Sequence, residues 1–224
     1  MPLTVDVDTL TVEVGTATPI EVEAAPITVE VNTSIPGPAG PTGPTGPAGP
    51  AGATELLSTA TASNDAQIDF TTASWFDGTY PGGLLLKGVN VVPATDSVAL
   101  ELRVRIGGTF QTGSSYDHVH FSVGAGHGSG GTGGNNHSTI ILITNLGSDT
   151  GEGCNFNLNI PDCSDTALYK AFHCYSGWIN SSGKHNTGIS GGAWKGATSA
   201  IDGLRLYMSS GNIESGTFKL YGLK

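Results

Sequence analysis

From Gly37 to Gly52 every third residue is glycine: Gly37, Gly40, Gly43, Gly46, Gly49 and Gly52. Proline follows in five of these triplets, at Pro38, Pro41, Pro44, Pro47 and Pro50, and the third position is only Ala or Thr. Three polyproline-II strands wind around one another only where the residue on their shared axis has no side chain. The register therefore predicts a collagen-like triple helix and a homotrimer. A stiff Pro-rich linker in a single chain would need the prolines but not the unbroken glycine spacing. At a rise of about 3.1 Å per residue the run makes a stalk roughly 50 Å long. Ordering each strand costs about 1–2 kcal/mol per residue, and so short a helix has few lateral contacts. The segments on either side must help to hold three chains together.

Ahead of the stalk lies a weak repeat: Leu3–Val7, Leu10–Val14, Pro19–Glu23 and Pro26–Val31. Each copy alternates an apolar residue with Thr or an acid, the period of a half-buried strand. The valines on that face are Val5, Val7, Val12, Val14, Val22, Val29 and Val31. Each copy is too short to bury its own apolar face. Residues 1–35 are accordingly expected to form a β-repeat anchor that orders on assembly, against neighbouring chains or a host protein; the competing reading is a disordered acidic tail. The stalk then occupies residues 36–53 and a head residues 54–224.

Charge separates the two ends. Residues 1–86 hold ten acids and no Lys or Arg, while residues 87–224 hold nine acids and nine bases, so the net charge of −10 arises before Lys87. An acidic arm excludes nucleic acid as a partner, because phosphate contacts need clustered Lys and Arg. It suits docking on a basic protein surface; the plainer role is solubility. The N-terminus lacks the basic start and apolar core of a signal peptide. The longest apolar runs, Gly83–Val92 and Thr139–Thr144, are too short to cross a bilayer as a helix. A soluble protein without membrane insertion is expected.

The head reads as mainly β. In Val98–Ile106, Val98, Leu100, Leu102, Val104 and Ile106 share one face, with Ala99, Glu101, Arg103 and Arg105 on the other. Further strands are expected at Ala66–Phe70, Leu84–Val92, Tyr116–Val123, Thr139–Thr144, Asn155–Ile160, Tyr169–Cys174, Leu204–Met208 and Thr217–Leu223, separated by Gly, Ser, Asn and Pro clusters. Ala53–Ser63 reads as a small-residue joint. In the last strand Phe218 and Leu220 face the core and Gly216 and Gly222 bracket it. No segment has a helical period. This pattern predicts an antiparallel β-sandwich, jelly-roll-like.

Several motifs bear on chemistry. Gly188–Gly192 matches G-x-S-x-G, yet a nucleophile elbow needs a helix after the serine, and the following residues are glycine-broken. Gly126, Gly128 and Gly131 match a dinucleotide fingerprint without a βαβ unit around them. No catalytic residue, metal site or cofactor is expected. Cys154, Cys163 and Cys174 fit no zinc spacing; they read as buried thiols, with an intrachain or intersubunit bridge as alternatives. His118 and His120 share a strand face, and read as two half-exposed histidines. The stretch Gly124–His137 reads as a long flexible loop in which His127, Asn135, Asn136 and His137 offer donors and acceptors, or as a passive one. Tyr175 and Trp178, within His173–Trp194, add aromatic faces beside amides. Together these residues form a candidate glycan-binding set, with Trp178 and Trp194 partly in the core.

Two segments carry a resemblance. One is the collagen-like run Gly37–Gly52 between two β segments. The other is the ending Gly211-Asn-Ile-Glu-Ser-Gly-Thr-Phe-Lys-Leu-Tyr-Gly-Leu-Lys224. Together they resemble collagen-like fibre and minor structural proteins of tailed bacteriophages (head, neck or tail fibres). If placed on a trimer axis, His118 and His120 would also resemble the iron sites of some phage spike tips. The family resemblance implies a virion-surface protein whose residues 1–35 dock on a capsid, neck or tail protein and whose head points outwards. It implies a structural, non-enzymatic role, with weak multivalent contacts to host-surface glycans; the alternatives are a decorative fibre without a ligand, or a glycan-cleaving spike with a carboxylate pair in a groove. Replacing Gly43 or Gly46 with Ala should place three methyl groups on the crowded axis and loosen the stalk. Sedimentation of the unaltered chain should show a trimer; a stable monomer or dimer would refute the triple helix.

Overall fold

The computed structural model describes residues 10–12, 20–22, 52–125, 127–161 and 163–224, with side chains from residue 52 onwards except 126–128 and 162. The chain divides into two compact units, Met1–Gly49 and Pro50–Lys224. In the first, β1 (Leu10–Val12) and β2 (Ile20–Val22) pair antiparallel, with Leu10 opposite Val22 and Val12 opposite Ile20. They fall inside two of the four expected repeats. Val5, Val7, Val14, Val29 and Val31 lie outside the described residues, as do Gly37, Gly40, Gly43, Gly46 and Gly49.

The second unit consists of antiparallel strands, with no α-helix among the described residues. In chain order these are β3 (Thr54–Asp65), β4 (Ile68–Phe70), β5 (Leu84–Pro93), β6 (Val98–Ile106), β7 (Thr109–Phe110), β8 (Tyr116–Gly124) and β9 (His127–His137). They continue with β10 (Ile140–Leu146), β11 (Gly153–Ile160), β12 (Lys170–Ile179), β13 (His185–Trp194), β14 (Gly203–Met208) and β15 (Ile213–Leu223). A large sheet runs β3-β15-β5-β11-β12-β13-β8-β9; a smaller one runs β10-β6-β14-β4, with β7 on β6. The long-range pairs are nested: β5 with β15, β6 with β14, β8 with β13.

Alternation sets the core. β6 buries Val98, Leu100, Leu102 and Val104 and half-buries Ile106, as its pattern predicts. β11 buries Cys154, Phe156, Leu158 and Ile160 and turns Asn155, Asn157 and Asn159 outwards. Side chains from both sheets meet in one apolar cluster. Polar contacts also join the two sheets. Ser190 Oγ on β13 donates to Leu142 O on β10 at 2.6 Å. Tyr116 OH at the start of β8 accepts from Val104 N at 3.1 Å and donates to Gln111 O at 3.0 Å. Burial pushes the Tyr116 phenol up to about 12, so it stays protonated and able to donate. Arg205 on β14 holds Asp69 on β4 through two bonds of 2.8 and 2.7 Å, and its guanidinium lies over Phe110.

Three expectations need correction. Ala53–Ser63 is no joint: most of it belongs to β3, which pairs along its length with β15. Small polar residues carry little strand propensity, and the partner's backbone supplies the order instead. The glycine-rich segment expected as a loop is β9, an edge strand on β8. In β15, Gly216 and Gly222 lie within the strand rather than bracketing it; Gly216, at φ +137°, sits where the pairing with β5 slips register. Phe218 and Leu220 are buried as expected. The charge division at Lys87 also cuts through the head, where Glu55 pairs with Lys224 at 2.7 Å and Asp69 with Arg205.

At Gly192 a Cβ would lie 2.3 Å from the Asp117 carbonyl oxygen and 2.9 Å from the Ile140 side chain. Only a glycine lets β13 approach both β8 and β10 there. Gly192→Ala should therefore destabilise the head by about 1–3 kcal/mol, read as a lower urea midpoint with the same cooperativity.

Candidate functional site

The outer face of the large sheet carries an uncharged apolar strip. Register places Phe121 beside Ile189, Ile189 beside Tyr175, and Tyr175 beside Asn157. Val119 lies one pair away on the same face. All four apolar members are at least half exposed, from 50% at Phe121 to 65% at Val119. Gly131 and Gly133 of β9 and Gly191 of β13 extend the strip without side chains, which keeps it flat. Two shallow grooves flank the Phe121–Ile189 ridge. One, of about 720 Å³, runs past Val119, Ala171 and His173. The other, of about 540 Å³, runs past Tyr175, Thr187 and Asn157. Contiguous exposed apolar surface of this kind marks interaction sites.

The expected glycan-binding set does not converge. Asn135, Asn136 and His137 are exposed at the end of β9 opposite Tyr116. Asn136 N–H reaches Asp117 Oδ1 at 3.4 Å, and Asp117 in turn pairs with Lys195 at 2.5 Å. Tyr175 is exposed in the middle of the outer face. Trp178 is 3% exposed and faces the core, against His120, so it offers no stacking surface; Trp194 is buried too. The His127 side chain lies outside the described residues, while its backbone pairs with Gly124, at the opposite end of β9 from His137. Strand alternation separates Tyr175 from Trp178, since an odd number of residues apart means opposite faces. The sequence signal that could have shown this is the unbroken alternation of Phe172, Cys174, Ser176 and Trp178, all inward.

The two histidines share a face, as expected, but it is the inner one. His118 and His120 are 6% and 5% exposed rather than half exposed. His118 packs edge-on to His137 with ring centroids 4.4 Å apart. His118 Nδ1 and His120 Nε2 have no hydrogen-bond partner among the described residues. Burial holds both imidazoles below the ordinary histidine range, with His137 adding to the effect at His118 and Asp117 opposing it. Among the described residues no group of three or more His, Cys, Asp or Glu is placed to hold a metal ion.

Cys154 and Cys174 are buried free thiols on neighbouring strands. Burial raises both, Cys174 to about 12, so neither is a thiolate near neutrality. Cys163 is buried, its Sγ 3.4 Å from Pro161 O. Ser190 of the G-x-S-x-G match is mid-strand in β13, 2% exposed and bonded to Leu142 O. It has neither the sharp turn nor the following helix of an elbow. Lys170 is buried at the start of β12, where its ammonium donates to the carbonyl oxygens of Asp165, Leu168 and Thr198 and ties two loops to the sheet.

No protein-family model, no curated protein and no solved structure matches the chain.

The buried histidines set an acid limit. An unfolded chain takes up protons on His118 and His120 as pH falls through about 6.5, whereas the folded imidazoles resist protonation until lower pH. Their neutral form thus supports the fold above that value, and stability should fall as pH drops through it, until the lowered folded values are also passed. The urea midpoint should be lower at pH 5.5 than at pH 8, and replacing both histidines with Phe should flatten the difference. An undiminished pH slope in the double variant would contradict this account.

Proposed function

We propose that the chain is the subunit of a homotrimeric virion fibre, structural and non-enzymatic. Residues 1–35 dock on a capsid, neck or tail protein, residues 36–53 form a collagen-like stalk, and residues 54–224 form an outward jelly-roll-like sandwich. The head makes weak multivalent contacts with host-surface glycans. The observation that carries the reading is the unbroken glycine register from Gly37 to Gly52, which runs to within two residues of β3. A triple helix tethers three heads at their first strands, so modest single-site affinities suffice.

Other observations support it. The nested antiparallel pairing of β5 with β15, β6 with β14 and β8 with β13 suits a jelly-roll-like sandwich. The uncharged strip through Phe121, Ile189 and Tyr175 is a surface that a head packed against its neighbours would cover. Residues 1–35 carry six acids and no base, which suits a basic docking surface. Among the described residues no helix is long and apolar enough to cross a membrane.

Deleting residues 1–35 should leave a folded, soluble trimer that no longer joins the particle. Sedimentation and imaging of virions assembled with the truncated subunit check both parts. Normal incorporation of the truncated chain would move the anchor elsewhere, and a monomeric full-length chain would sink the fibre reading. A glycan array probed with the full chain separates an adhesive head from a purely decorative one.

A further inference from the structure

The strand registers define two ends of the sandwich. Thr54, the first residue of β3, pairs with Leu223, and the neighbouring pairs lead through Leu84 and Ile160 to the His118 end of β8. At the other end Trp178 is opposite Asn186, Asn186 opposite Gly124, and Gly124 opposite His127. Here a pocket of about 220 Å³ opens between the sheets. Ser122 of β8 and Thr144 of β10 form one side, and Trp178, Asn180, Ser182 and Asn186 of the β12–β13 hairpin form the other. None of its lining residues is charged.

Two amides in the wall are held rigidly. Asn180 and Asn186 are 5% and 7% exposed. Asn180 Oδ1 accepts the backbone N–H groups of Ser182 and Lys184, both at 3.0 Å, which fixes which way the amide points. Its Nδ2 has no partner among the described residues. Asn186 Nδ2 donates to Lys184 O at 2.8 Å, which leaves its Oδ1 uncommitted. Trp178, against the same pocket, has an indole N–H with no partner among the described residues. One wall thus presents a spare amide donor and a spare amide acceptor, both nearly buried and both preset by backbone contacts. Of these three groups the indole N–H is the one fully buried without a partner among the described residues, and an unsatisfied polar group at such depth is uncommon and calls for an explanation.

We infer that this pocket binds one neutral, polyhydroxylated ring, a single hexose-type unit of a surface glycan. The inference rests on the adhesive-head reading and gives it a site. A hydroxyl both donates and accepts, so it matches the uncommitted pair, and the hydroxyls of Ser122, Thr144 and Ser182 add adaptable partners around the rim. An anion would find no cation in the wall, and a metal ion would find no carboxylate. A wholly apolar ligand would bury the amides unpaired, at a cost. The volume admits one ring rather than a chain. The site lies at the end of the sandwich away from Thr54.

The test uses the full chain with methyl glycosides of glucose, galactose, mannose and N-acetylglucosamine, and with glucuronate and sialic acid as charged comparators, read by saturation-transfer NMR. At least one neutral glycoside should bind and the charged sugars should not. Asn180→Asp keeps an oxygen that can hold the turn, but replaces the pocket donor with a second acceptor and adds a negative charge at a position 5% exposed. It should weaken binding at least about tenfold, the worth of one hydrogen bond, with the unfolding midpoint read alongside to show that the fold is kept. Trp178→Phe, which keeps one aromatic ring and removes the pyrrole ring with its N–H, gives a second reading should Asn180→Asp misfold. No binding by any neutral glycoside overturns the inference, as does binding that survives both variants or is lost only in Tyr175→Ala. In the last two cases a glycan-binding head stands and only the site moves. A monomeric chain whose sugar binding still depends on Asn180 would sink the fibre and keep the pocket.

Discussion

The head depends on its last strand. β15 hydrogen-bonds β3 along one edge and β5 along the other, so the chain's final residues lie between segments more than a hundred residues earlier. Three further contacts close this seam: Gly82 N to Leu223 O, Leu223 N to Gly83 O, and Lys224 N to Ala53 O. Phe218 and Leu220 fill the core from the same strand, with Phe218 against Phe156. The large sheet cannot be completed until β15 is available. Pairing across such separations is slow to form, because loop-closure entropy must be lost before the contacts are gained.

Within that frame the polar groups of the interior have two characters. Tyr116, Ser190 and Lys170 are each bonded to main-chain carbonyls or amides and fix one segment against another. A satisfied polar contact of this kind specifies alignment more than it adds stability. His118, His120 and Trp178 are different, since each has a ring nitrogen without a partner among the described residues. His118 and His120 lie on β8 and Trp178 on β12, with the indole against the His120 ring.

The two candidate surfaces suit different tasks for a related reason. The outer strip of Val119, Phe121, Ile189 and Tyr175 is broad, apolar and flat, which favours another macromolecule and gives little directional recognition. The end pocket is small and lined by amides and hydroxyls in fixed orientations, which favours a small ligand defined by its hydrogen bonds. The first lies on a sheet face and the second at a sheet end, so the two occupy separate parts of the sandwich.

Much of this was legible in the residues. Period-2 alternation located β6 and the inward face of β15, because apolar side chains on every second residue leave water together; β8 breaks that rule, with Val119, Phe121 and Val123 outward and His118 and His120 inward. Tertiary structure decided what alternation could not. Segments poor in apolar residues, Thr54–Asp65 and His127–His137, became strands because a neighbouring strand supplied backbone partners, not because their side chains favoured it. The expected glycan set came apart for the same reason: Tyr175 and Trp178 are close in sequence but point to opposite faces, and Asn135 and His127 lie toward opposite ends of one strand. Asn180 and Asn186 were brought into one pocket with Ser122 and Thr144 by strand order and register, which long-range hydrogen bonds set. The sequence by itself determined a β-rich unit preceded by an unbroken glycine repeat, because side-chain alternation and glycine spacing are local properties of the chain. The tertiary structure alone decided which polar groups share a cavity, because that depends on which distant backbones pair and in what register.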